Sequence, residues 1–143
     1  MSVVALLVAA LGLTTGLVTA EAEIVSGRCA DGRVWTTSLA AQGRMLGVLN
    51  EVRAGEARPP FRRHHVLDRM AFTHSVDMAC RDYFDHRTPE HRGVREKLKR
   101  VADGQMPDWT RLAEVIGTSE TPQRQVDRWL DSRPHRRALL EEH

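Results

Sequence analysis

Between Ser38 and Leu140, apolar residues recur three, four and seven positions apart in separate short stretches, and nowhere do they alternate with polar ones over the length of a strand. A period near 3.6 residues lays such positions along one face of a helix, whereas a half-buried strand needs a period of two. The core of this chain is therefore expected to be built mostly from helices. The first runs from about Ser38 to Ala54, with Leu39, Met45, Leu46, Leu49 and Val52 as its stripe, Thr37 or Ser38 as its cap and Gly55 at its end. Pro59-Pro60 then enforces an extended link. The second runs from about Val66 to Asp82 and places Leu67, Met70, Ala71, His74, Met78 and Cys80 on its inner face. A short basic helix covers Gly93 to Ala102. Within residues 105–120, Leu112 to Ile116 is the only strand-like or buried run. Thr121 caps a further helix, with Pro122 at the favoured first position and Val126, Trp129 and Leu130 on one face. A last helix restarts at His135 and carries Leu139 and Leu140. Residues 21–36 hold turn signals at Gly27, Asp31 and Gly32 but no hairpin pattern, and read as an irregular N-terminal arm.

The first twenty residues belong to a different kind of segment. They carry no charge, and Val3 to Val18 is apolar except for Gly12, Thr14, Thr15 and Gly16. The small residues of Val18-Thr19-Ala20-Glu21-Ala22 fit a signal peptide over residues 1–20, cleaved after Ala20 or Ala22. An uncleaved anchor is the competing reading, because the run approaches the ~20 residues that span a bilayer. No second hydrophobic stretch follows, so the cleaved chain is expected to have no membrane span and to be secreted or periplasmic. In such a compartment the only two cysteines, Cys29 and Cys80, suit a disulfide, with a buried thiol at Cys80 as the alternative. The bond would close a loop of about 50 residues and contribute about 3–4 kcal/mol. The 143 residues fit one domain. Lys+Arg 21 against Asp+Glu 19 is too balanced for a disordered chain or a dedicated nucleic-acid binder.

Five segments, in order, carry a family likeness. They are Leu49-Asn50-Glu51-Val52-Arg53, Thr73-His74-Ser75-Val76-Asp77-Met78, Tyr83-Phe84-Asp85-His86-Arg87-Thr88-Pro89, Ala113-Glu114-Val115-Ile116, and the run from Trp129 through Ser132-Arg133-Pro134-His135-Arg136 to Leu140. Together they resemble the CAP superfamily, or SCP-like domains, in its secreted bacterial branch. The resemblance implies an α+β fold, a CAP-type α-β-α sandwich over residues 37–143. It also implies a cleft lined by His86, Glu114 and His135. Two motifs differ from the family pattern: Gly-Glu-Asn reads Ala113-Glu114-Val115, and Pro-Gly-His reads Arg133-Pro134-His135. Family members normally continue into strands that complete the sheet. The resemblance therefore implies a C-terminally truncated, mostly helical version here.

Two imidazoles and one carboxylate are a sufficient set for a catalytic-type zinc site with water in the open position. They also suffice for acid–base chemistry. The three residues lie 28 and 21 positions apart, so only the fold can bring them together. The bland alternative is that they hydrogen-bond loops around the cleft. No Ser or Cys nucleophile stands in a recognisable setting, and no glycine-rich phosphate loop is present, which leans away from catalysis. The expectation is a binding or interaction module for a lipid-like molecule, a peptide or a cell-surface ligand. The alternative is a metal-dependent hydrolase using the same residues. His74, on an apolar helix face, reads as a packed histidine with one satisfied nitrogen. His64-His65 reads as a solvated turn, His91 as a remote candidate ligand and His143 as a frayed end. Arg92, Arg95, Lys97, Lys99 and Arg100 read as a solvated basic surface. Trp129 reads as core, and Trp35 and Trp109 as anchors, with the lining of a ligand groove as their alternative.

Overall fold

The structure, a computed structural model, describes residues 5–6, 24–103 and 111–141. The leader and its cleavage site, apart from Ala5 and Leu6, lie outside the described residues, as do Trp109 and His143. The fold is α+β and mostly helical. A short strand β1 (Ala5–Leu6) comes first, followed by β2 (Ile24–Arg28) and β3 (Val34–Ser38). Next come α1 (Leu39–Gly55), α2 (His65–Arg81), α3 (Val94–Val101), β4 (Glu114–Val115), α4 (Pro122–Asp131) and α5 (Arg133–Leu140).

The segment expected to be an irregular arm is a hairpin. Strands β2 and β3 pair antiparallel, with Ile24 opposite Ser38 and Arg28 opposite Val34. The turn signals were placed correctly: Gly32 takes φ 87°, Gly32 N donates to Cys29 O at 3.0 Å, and Cys29 N donates to Arg33 O at 2.8 Å. What hid the strands is that their outer face is also apolar in part. Ile24 and Val34 are exposed, so the inside–outside alternation is not a polar–apolar one. Gly27 is required on the inner face, because a Cβ there would lie 2.4 Å from the Trp35 indole. The Cys29–Cys80 disulfide is present, with its Cα atoms 5.3 Å apart, and it ties the hairpin turn to the end of α2. Arg33 adds to the clasp by donating to the carbonyls of Ala79 at 3.2 Å and Cys80 at 2.5 Å. Those carbonyls lie in the last turn of α2, where a helix has no partners of its own to offer.

The helices form for local reasons. Ser38 Oγ accepts from Ala41 N, and Thr121 Oγ1 accepts from Arg124 N, so α1 and α4 start on capped turns. Asp82, at φ 55° and ψ 52°, takes the left-handed conformation that ends α2 one residue earlier than expected. Helix α5 begins at Arg133 rather than His135, because Pro134 is tolerated in a first turn whose N–H groups have no acceptor. Among the described residues no helix is long and apolar enough to cross a membrane.

Two apolar clusters flank β4. On one side Leu67, Met70, Ala71 and Met78 of α2 meet Leu98 of α3, with Ile116. On the other, Met45 and Leu49 of α1 meet Phe61, Val126, Trp129, Leu139 and Leu140, with Val115. Val115 and its neighbour Ile116 thus point to opposite helical layers, as adjacent residues of an extended chain must. Strand β1 runs parallel beside β4, with Ala5 opposite Glu114 and Leu6 opposite Val115. Polar groups stitch these layers together. Trp129 Nε1 donates to Ile116 O at 2.9 Å, and Gln125 Oε1 accepts from Ser119 N at 2.9 Å. Arg53, buried in α1, donates to Pro59 O and Leu139 O while its guanidinium lies 3.9 Å from the Phe61 ring centroid.

Candidate functional site

The loop after α2 presents His86. Its backbone is held by its own side chains. Arg87 N donates to Asp85 Oδ1 at 2.7 Å, Thr88 N donates to Arg92 O at 3.1 Å, and the buried Thr88 hydroxyl accepts from Arg92 N at 3.3 Å. His91 N donates to Thr88 O at 2.7 Å, with His91 itself at φ 59°, so His91 is a turn residue.

The structure brings two of the three sequence-derived site residues into contact. His86 Nδ1 lies 3.0 Å from Glu114 Oε2. Glu114 reaches the loop because β4 carries it directly beside Val115 at the seam between the clusters. A third residue completes the group. Lys97 Nζ, from α3, donates to Glu114 Oε1 at 2.7 Å, to Oε2 at 2.8 Å and to the carbonyl of His86 at 2.7 Å. The Glu114 and Lys97 side chains are only 3% and 6% exposed, whereas that of His86 is 49% exposed. Burial alone would push the Glu114 carboxyl up. The hydrogen bonds from His86 and Lys97 outweigh it and hold the group below its ordinary value. Burial pulls Lys97 below the usual lysine value, with Glu114 opposing. A carboxylate only accepts, so His86 Nδ1 carries a proton and donates it, and Nε2 is the ring nitrogen not committed to Glu114.

Lys97 corrects the reading of residues 92–100 as a uniformly solvated surface. Arg95, Lys99 and Arg100 are exposed, but Lys97 is not. It lies three residues after Val94 and four before Val101, on the inward side of α3 beside Leu98. That spacing was the available signal.

His135, at the start of α5, is partly buried, and no hydrogen bond joins it to His86 or Glu114 among the described residues. Its imidazole is held below the usual histidine value by burial first and by His86 second. Among the described residues no group of three His, Cys, Asp or Glu side chains could hold a metal ion. Glu114 has both oxygens engaged by Lys97 and His86.

His74 is 2% exposed and packed within α2. Its Nε2 lies 3.0 Å from Asp85 O and its Nδ1 lies 3.3 Å from Tyr83 Oη. Tyr83 Oη donates to Asp77 Oδ2 at 2.5 Å, and Arg81 bridges Asp77 and Glu90. His64 and His65 stack with centroids 5.0 Å apart at the start of α2. Two cavities adjoin α2, one of about 470 Å³ against α3 and one of about 460 Å³ under the hairpin, where Trp35 meets Phe72 edge-on at 5.3 Å. None of His86, Glu114 and His135 lines either.

A family model described as CAP: Cysteine-rich secretory protein family matches residues 46–143, more than half of the chain. No curated protein and no solved structure matches it.

Proposed function

The chain belongs to the CAP, or cysteine-rich secretory protein, family, and from that premise we propose that it is an exported binding module whose ligand is received by His86 and His135, with Glu114 holding the first of them. The observation that carries this reading is the state of Glu114. It is buried, ionised and fully engaged by Lys97 and His86, so it orients an imidazole rather than serving as a free base or metal ligand. The proton on His86 Nδ1 is committed to Glu114, so Nε2 of this half-exposed side chain is an acceptor while the ring is neutral. His135, the other histidine of the cleft that the family likeness implies, is partly buried at the start of α5. Such a pair receives a hydrogen-bond donor from a peptide, a lipid-like molecule or a cell-surface ligand. The metal-dependent hydrolase alternative requires Glu114 to leave Lys97, which would strand a buried ammonium. Residues 1–20 support export to the secreted or periplasmic space, and the Cys29–Cys80 bond suits that compartment.

The test is a titration of the isotope-labelled chain with dodecanoate, with an unstructured peptide and with zinc chloride, followed by NMR. The expected result is saturable shifts at His86 and His135 with one of the first two probes, lost in His86→Ala while the fold is retained. Zinc-dependent turnover abolished in both His86→Ala and Glu114→Gln would establish the hydrolase instead.

A further inference from the structure

The buried imidazole of His74 belongs to a chain of four groups whose protons can be counted. Asp85 O is a carbonyl and only accepts, so its 3.0 Å contact with His74 Nε2 requires a proton on Nε2. At the far end, Tyr83 Oη lies 2.5 Å from Asp77 Oδ2. Burial favours the neutral Asp77 carboxyl, but the hydrogen bonds from Arg81 and Tyr83 prevail and hold it below its ordinary value. Asp77 is therefore the acceptor and Tyr83 the donor. The run Asp85–His74–Tyr83–Asp77 contains three contacts, and a neutral imidazole with one phenol supplies two protons. The contact left without a proton is the longest, His74 Nδ1 to Tyr83 Oη at 3.3 Å. A second imidazole proton would fill it, but burial first and the nearby Lys97 ammonium second hold His74 below the usual histidine value.

The same loop is gripped one residue further on. Lys97 Nζ donates to His86 O, so the carbonyls of Asp85 and His86 are each held from the interior by a buried side chain. One comes from α2 and the other from α3. Two successive carbonyls fixed in this way set the peptide planes on both sides of the His86 Cα, and with them the direction in which its ring leaves the loop.

We infer that His74 is the positioning residue of the candidate site, acting as a neutral imidazole with its proton on Nε2 to hold the Asp85 carbonyl and thereby aim His86 at Glu114 and the ligand. This rests on the reading of His86 as the ligand-receiving side chain. His86 and His74 are then opposite tautomers, with the proton on Nδ1 in one and on Nε2 in the other, each fixed by the acceptor it faces.

The experiment uses the full chain, labelled with nitrogen-15, at neutral pH and without any ligand, and reads the ring nitrogens of His74 and His86 in long-range proton–nitrogen spectra. The expected result is a neutral His74 protonated on Nε2 and a His86 protonated on Nδ1. His74→Gln, which keeps a donor, should preserve the His86 pattern and the amide shifts of residues 85–87. His74→Leu, which removes the donor, should lose both while far-UV circular dichroism stays native. Either a His74 proton on Nδ1, or an unchanged His86 pattern in a folded His74→Leu, overturns the assignment. If His74→Leu does not fold, the wild-type tautomer and a folded His74→Gln still decide, because a displaced His86 in the latter overturns it too. No ligand enters these measurements, so a failed binding titration leaves this result standing, and an overturned tautomer leaves the binding reading to its own test.

Discussion

Lys97 shows how much depends on a single buried partner. Among the described residues its ammonium is the one group that reaches both oxygens of Glu114, and Lys97→Met would leave that buried carboxylate with the hydrogen bond from His86. Removing one member of a buried pair costs about 3–5 kcal/mol, which chemical denaturation of the variant should measure. The pH dependence has a definite sign. Glu114 is held below its ordinary value of 4.5, so its contribution to stability is complete above that value and is lost as pH falls through the lower value of the folded state. The melting temperature of the wild type should therefore drop on acidification below about 4.5 more steeply than that of Lys97→Met. Glu114 and His86 were legible in the sequence through their motifs. Lys97 was not, because the surrounding charges of Arg95, Lys99 and Arg100 masked its place on the inward face with Val94, Leu98 and Val101. Arg53, stacked on Phe61 and bonded to Leu139 O, escaped for a similar reason: a guanidinium is placed inside by acceptors that only tertiary structure supplies.

At the level of elements, the hairpin of β2 and β3 is held to α2 by one covalent bond and one charged clasp. The disulfide spans 51 residues, so Cys80→Ser, paired with Cys29→Ser to avoid a free thiol, should cost about 3–4 kcal/mol. Reduction of the wild type should lower its melting temperature to that of the double variant. Arg33→Ala should cost about 1 kcal/mol, since the guanidinium caps the C-terminal carbonyls of α2. The helices were legible to within one or two residues from spacing and caps. The start of α5 moved because Pro134 counts as a helix starter rather than a breaker in a first turn. The hairpin was not legible, since exposed Ile24 and Val34 erase the polar–apolar alternation that a strand with one wet face would show.

For the molecule as a whole, the expected layering of helix, strand and helix is realised with a very thin middle layer. Trp129 contributes the largest buried side chain of the α1–α4–α5 cluster and anchors it to Ile116 O. Trp129→Ala should cost about 3–5 kcal/mol, read from the denaturant midpoint. The layer order was legible only through the family likeness. Periodicity predicted each helix but could not say that Val115 and Ile116 divide their neighbours between two clusters.

That division has a consequence for how the molecule comes apart. Neither cluster can open without uncovering one of the two adjacent residues Val115 and Ile116, so the two are coupled and calorimetry should record one cooperative transition. The amides of Val115 and Ile116 should then be among the slowest of the described residues to exchange with deuterium, because their exposure demands the global opening free energy. Glu114 sits at the start of that slow segment while His86 rides on a surface loop. The candidate site thus joins the segment shared by the two clusters to a loop held by His74 and Lys97, and exchange rates measured at the two ends would give its rigidity directly.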